Sequence, residues 1–126
     1  MKGVIVAAGY GTRFLPVTKT VPKEMLPLLT KPSIAFVVEE FAASGIRDIL
    51  ILTSRRKKAL EDYFDRDPEL ESVFKAEGAA GKLERIAPPA VNVSFVRQPE
   101  MLGTGHALLQ ASPWLGDRKS TRLNSS

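Results

Sequence analysis

Residues 2–11 read KGVIVAAGYG, an apolar, β-branched run that stops at two glycines, Gly9 and Gly11. Lys2–Ala8 is apolar without alternation, the pattern of a strand buried on both faces in a parallel sheet. Glycines directly after such a strand let a backbone approach a ligand closely, most often a phosphate. A phosphate-binding loop normally hands over to a helix, but here Pro16, Pro22, Pro27 and Pro32 follow. They are spaced too closely for helix, because each removes an N–H and crowds the turn before it. Residues 9–32 are therefore expected to form a long loop that the prolines hold extended. A loop of that length inside a compact domain is either functional or a misassignment.

From Ser33 the period changes. Ile34, Val37, Val38 and Phe41 follow the spacing of one helical face, with Ser33 as N-cap and Gly45 as C-terminal stop. Asp48–Thr53, DILILT, is a second apolar strand. Strand, loop, helix and strand make a right-handed βαβ crossover between parallel strands. Beyond it the spacing predicts helices over Arg55–Phe64 and over Pro68–Ala76, the latter entered through Asp67 as N-cap. Residues 77–90 are ambiguous, with at most a helical turn before Pro88 and Pro89. Val91–Arg97 alternates as a third strand, and Gly103–Ala111 reads as a helix starting near Thr104. The fold class is α/β, a Rossmann-like, doubly wound, mostly parallel sheet. Ligands of such sheets bind outside the carboxyl ends of the strands. Of the loops after Ala8, Thr53 and Arg97, the first and third carry glycines, which locates the site.

Bulk composition narrows the classes. The 126 residues suit one domain, with 44% hydrophobic and 25% charged residues. Cysteine is absent, so disulfides and thiolate metal sites are excluded and a reducing cytoplasmic compartment is expected. No apolar run approaches the roughly 20 residues that span a bilayer, and the N-terminus lacks the features of a signal peptide. The net charge of +4 is concentrated in the last nine residues, RKSTRLNSS, which hold three basic side chains and no acid. Without those three, 15 basic residues face 14 acidic ones, a net of +1. A nucleic-acid face is not expected on so neutral a body.

Three mechanisms compete for the glycine loop. A dinucleotide fingerprint needs a third glycine where Phe14 stands, a helix that the prolines forbid, and an acid where the second strand ends in Thr53. Arg55 and Arg56 would rescue only a 2′-phosphate variant. No P-loop pattern occurs anywhere. The third is a backbone cradle in which side chains replace the helix dipole. Residues 1–31 hold Lys2, Arg13, Lys19, Lys23 and Lys31 against the single acid Glu24, an excess that suits a polyphosphate. Taken singly, Lys2, Lys19 and Lys31 read as solvated surface lysines. Arg13, just behind the glycine turn, reads as functional.

The stretch GYGTRFLPVTKTVPKEMLPL, residues 9–28, resembles the signature of the sugar-1-phosphate nucleotidyltransferases, G-x-G-T-R followed by P-K. Its PKEMLPL form, with VRQ at 96–98 and GTGHAL at 103–108, resembles the uridylyl-transferring branch, whereas thymidylyl-transferring relatives differ there. The long connection from Asp65 to Pro89 also favours the former. The resemblance implies the nucleotide-diphospho-sugar transferase type of sheet, and transfer of uridylyl from UTP to glucose 1-phosphate with release of pyrophosphate and help from Mg²⁺. It implies that Ala8 and Gly9 back the nucleobase, and that Gly11, Thr12 and Arg13 wrap the triphosphate. Lys23 would reach the phosphates at the reacting centre, Gln98 would bond uracil, and Gly103 would let its helix approach the base. Arg13 and Lys23 are thus the expected catalytic residues. His106 reads as a helix-surface or packing residue and Trp114 as core. Full-length members are expected to be homo-oligomers, with no nucleic-acid or membrane partner.

The resemblance covers residues 2–117. Residues 118–126 are expected to be an unrelated polar tail that supplies no buried strand. The expected domain is then 1–117, a truncated nucleotide-binding part whose Mg²⁺-binding aspartate lies beyond this chain, binding UTP weakly and turning over nothing. A non-catalytic nucleotide-binding module is the competing class.

Overall fold

In the computed structural model, residues 2–7, 9, 11–54 and 58–98 are described, together with the backbone of 121–125. The elements run β1 (Lys2–Val6), β2 (Pro27–Leu28), β3 (Lys31–Pro32), α1 (Ser33–Ala43), β4 (Asp48–Thr53), α2 (Lys58–Phe64), α3 (Pro68–Glu77), α4 (Ala80–Ile86), β5 (Asn92–Arg97) and β6 (Thr121–Ser125). The main sheet has the order β5-β4-β1-β6, and every pairing in it is parallel. In register, Ile5 lies beside Ile51, and Ile51 beside Phe95.

Alternation along the strands divides the core between two faces. Ile5, Ile49 and Ile51 pack under Ile34, Val38 and Phe41 of α1 and Leu60 and Phe64 of α2. Val4, Val6, Leu50 and Leu52 point to the opposite face, where Val96 joins them. Burial on both faces accounts for the unbroken apolar runs of β1 and β4. Gly3 interrupts β1 because α1 lies so close: a Cβ there would stand 3.0 Å from two atoms of the Phe41 ring.

The α/β class, the parallel crossovers and three of the strands follow the sequence reading. Gly45 ends α1 with φ +84°, while the Ile46 N–H returns to the Phe41 carbonyl, the closure expected of a glycine after a helix. Four details differ. Ser33 does not cap α1; it is the first helical residue, and its hydroxyl bonds elsewhere. Residues 80–86, left ambiguous, form α4, packed against α3. The loop is not extended: it holds three 3₁₀ turns, Thr12–Phe14, Val17–Lys19 and Lys23–Met25, and the β2–β3 hairpin. Pro16 and Pro22 stand just ahead of two of those turns, where a missing N–H costs nothing. Lastly, the polar tail, expected to supply no buried strand, pairs Thr121–Ser125 as β6 beside β1. That expectation weighed side-chain polarity, whereas a ladder is made by backbone N–H and C=O groups. The helix expected over Gly103–Ala111, with His106 and Trp114, lies outside the described residues, as do Arg55 and Arg56. No helix among the described residues is long and apolar enough to cross a membrane.

The helical pair α3–α4 contributes no buried residue. Its stability is therefore local. The Asp67 carboxylate accepts from the Leu70 N–H at 3.0 Å, and Arg66 pairs with Glu71 at 2.6 Å, holding the Glu71 carboxyl below its ordinary range. Asp67→Ala is expected to cost about 1 kcal/mol, the usual value of an N-cap. Amide exchange should show the loss in α3 and leave β4 unchanged, since no core contact depends on it.

Candidate functional site at the end of β1

Strand order places the glycine loop. The chain steps from β1 outward to β4 and β5, then β6 returns to the other side of β1. The order reverses at β1, and loops leaving the carboxyl ends on either side of such a reversal diverge to form a crevice. The loop leaving β1 is the one with Gly9 and Gly11.

Inside the loop, the glycines make room for the chain itself. A Cβ on Gly11 would lie 3.1 Å from Cγ2 of Thr18 and 3.2 Å from Cβ of Lys23, and Gly11 has φ +65°. A Cβ on Gly9 would meet the Lys23 Nζ at 3.7 Å. The Lys23 side chain thus runs from Gly11 to Gly9, bringing its ammonium to the first residue of the glycine pair. Thr18 closes the turn by donating its hydroxyl to the Gly11 carbonyl at 2.6 Å. The Phe14 N–H reaches the same carbonyl at 3.1 Å, forming the turn that carries Thr12 and Arg13 at the surface. Among the described residues no acid pairs with Arg13, Lys19 or Lys23. Lys31, by contrast, donates to Glu39 at 2.8 Å.

The backbone of Lys23 belongs to a turn that is held from two sides. Its turn is pinned by Glu24, which is 2% exposed, and by Met25, which packs on the core under α1. Ser33 holds the turn from the helix side, donating its hydroxyl to the Glu24 carbonyl at 3.0 Å. Neither Thr18 nor Ser33 was legible as a loop clamp: both are common loop residues, and Ser33 occupies a position that reads as a cap.

Gln98 follows β5 on the same carboxyl edge, with β4 between it and β1. Its N–H continues the ladder to the Thr53 carbonyl at 2.7 Å, and its side chain is 4% exposed. The carboxamide Nε2 is buried and finds no hydrogen-bond partner among the described residues. A buried donor left unmet costs about 1–3 kcal/mol, so an acceptor offered there would be favoured. Gly9, Gly11, Thr12, Arg13 and Lys23 are therefore gathered in one loop, Gln98 stands apart along the same edge, and Ala8 and Gly103 lie outside the described residues.

A cavity of about 440 Å³ lies elsewhere, between α1, α2 and α4, and none of the expected site residues lines it. Its Lys31 and Glu39 already satisfy each other, and burial pushes the Tyr63 phenol up.

The family model of nucleotidyl transferases matches residues 2–125. The UTP–glucose-1-phosphate uridylyltransferase YngB of Bacillus subtilis is 52% identical over 118 residues, covering 92% of this chain and 40% of that protein. The UTP–glucose-1-phosphate uridylyltransferase 2 of Staphylococcus saprophyticus is 48% identical over 118 residues, covering 92% and 41%. Among solved structures, the UTP-bound UGPase of Acinetobacter baumannii superposes with a TM-score of 0.83 at 41% identity, covering 91% of this chain and 41% of that one. The chain thus spans about two fifths of the length of the curated relatives it matches.

Proposed function

This chain belongs to the nucleotidyl transferase family, and from that premise we propose that it is the nucleotide-binding part of an enzyme making UDP-glucose and pyrophosphate from UTP and glucose 1-phosphate. The observation that carries the proposal is the Lys23 ammonium lying against Gly9, with Arg13 exposed on the following turn, at the point where strand order reverses. The names of the relatives support UTP and glucose 1-phosphate as the substrates.

In the proposed reaction a phosphate oxygen of glucose 1-phosphate attacks the α-phosphorus of UTP. The bond from that phosphorus to the bridging oxygen of the β-phosphate breaks, and pyrophosphate leaves with the electron pair. No protein nucleophile is required. Two polyanions must be brought together and the charge developing on the leaving group neutralised, which is work for fixed cations. Lys23 supplies one at the reacting phosphates, and Arg13 supplies a forked donor for the β- and γ-phosphates. Gly9 offers backbone free of a side chain to the uracil, next to the small Ala8; Gly11 and Thr12 lend backbone to the triphosphate. The Gln98 Nε2, which has no partner among the described residues, donates to a uracil carbonyl, and Gly103 completes the base pocket. Mg²⁺ is the ion the family resemblance implies. Among the described residues no group of three or more acids or histidines could hold a metal, so no step is assigned to it.

Titration of the protein with UTP tests the assignment. Arg13→Ala is expected to raise Kd about tenfold or more, the weight of charge-assisted hydrogen bonds to phosphate. Equal affinity in wild type and variant would remove Arg13 from the site. Wild-type affinity should fall with added salt, because exposed cations are screened. A comparison with dTTP checks the base: preference for dTTP would move the assignment to thymidylyl transfer.

A further inference from the structure

Ser33 opens α1, yet its polar atoms serve another element. Its Oγ donates to the Glu24 carbonyl at 3.0 Å and lies 3.4 Å from the Lys23 carbonyl, and its N–H donates to the Leu26 carbonyl at 3.0 Å. Three carbonyls of the turn carrying Lys23 and of its exit, those of Lys23, Glu24 and Leu26, thereby converge on one helical residue. From the other side the turn is held by buried Glu24 and by Met25 on the core. The Lys23 side chain leaves this packing, passing Gly11 to place its ammonium at Gly9. A lysine stem loses about 2 kcal/mol of rotamer freedom when held in one place. Fixing its backbone origin is what keeps the remaining search short.

We propose that Ser33 is a positioning residue for Lys23: by tying the 23–26 turn to the start of α1, it keeps the ammonium beside Gly9, where the phosphates of the nucleotide would lie. The identity of the nucleotide rests on the proposed function; the hold of Ser33 on Lys23 does not.

Two readouts on the intact chain separate these. The first is the rate at which each lysine is acetylated by acetic anhydride, resolved by mass spectrometry, with Lys31 and Lys82 as internal references. Ser33→Ala is expected to speed labelling of Lys23 about two- to tenfold, the range one net hydrogen bond carries, while the references stay unchanged. Ser33→Thr, which keeps the hydroxyl, should label like wild type. The second readout is UTP affinity in a double-mutant cycle. Ser33→Ala should raise Kd by a similar factor in the wild-type background and add nothing once Lys23→Ala is present. Should Ser33→Ala fail to fold, Ser33→Cys, which keeps the volume and weakens the bond, carries the same expectations. Unchanged Lys23 labelling, or an equal loss of affinity with and without Lys23, would overturn the inference. Faster labelling in a protein whose wild type ignores UTP would instead overturn the nucleotide assignment and leave the hold of Ser33 standing.

Discussion

Gly11→Val is expected to lower stability by roughly 2–4 kcal/mol and to abolish UTP binding in whatever fraction stays folded. Two costs combine. At φ +65° a β-branched residue meets its own backbone, and left-handed geometry alone costs about 1–2 kcal/mol. The new Cβ would then stand 3.1–3.3 Å from Thr18 and from the Lys23 Cβ. Neither neighbour yields cheaply, because Thr18 is bonded to the Gly11 carbonyl and Lys23 belongs to a turn pinned against α1. Relief therefore requires opening the loop, which carries Lys23 away from Gly9. Gly9→Ala is the control: its nearest contact is the flexible tip of Lys23 at 3.7 Å, and its backbone is not in the left-handed region. That variant should unfold within about 0.5 kcal/mol of wild type, as substitutions free of steric conflict do. Thermal unfolding of both variants checks the contrast, and UTP titration of Gly11→Val checks the loss of binding. A Gly11→Val protein as stable as Gly9→Ala would show that the loop relaxes freely and that Lys23 is not locked to it.

The second large effect falls in the sheet. Ile51 is fully buried at the middle of β4, flanked in register by Ile5 on β1 and Phe95 on β5, and covered by side chains of α1 and α2. Ile51→Ala removes apolar volume at a place where three strands and two helices meet, and rigid surroundings cannot collapse into the void. The expected loss is about 2–5 kcal/mol, a large share of the 5–15 kcal/mol that holds an ordinary domain folded. Urea unfolding should show a lowered midpoint with an unchanged slope. Leu29, which is 97% exposed at the tip of the β2–β3 hairpin, gives the matching control, since Leu29→Ala deletes no buried surface. A loss at Ile51 no greater than that at Leu29 would mean that the helices do not cover this face of the sheet.

These two sites differ in how far each could be read from the chain alone. The burial of Ile51 follows from DILILT: an unbroken apolar strand is covered on both faces. The importance of Gly11 is visible only as a category, a glycine after a strand, and the sequence reading assigned its missing side chain to a ligand. In the folded chain that space is already taken by Thr18 and Lys23, residues seven and twelve positions further on. Similarly, Ser33 before an amphipathic helix is the ordinary signal for a cap, and local spacing offers no hint that its hydroxyl turns back to the Glu24 carbonyl. The prolines were legible as helix breakers but not as starters of 3₁₀ turns. Both roles use the same fixed φ, and the choice depends on what the turn can pack against.

What the amino-acid sequence determined by itself is the set of periodic elements: the buried strands, the helix closed by Gly45, the capped helix at Asp67, and the glycine loop with its cations. All of these rest on interactions within a few residues, or on an apolar pattern that states how many faces are covered. Tertiary structure alone decided that β6 returns to the free edge of β1, that strand order reverses there, and that Lys23 folds back onto the two glycines. Those arrangements are made by backbone ladders and contacts between residues distant in sequence, whose energies depend on a partner's position and leave no periodic trace in the chain.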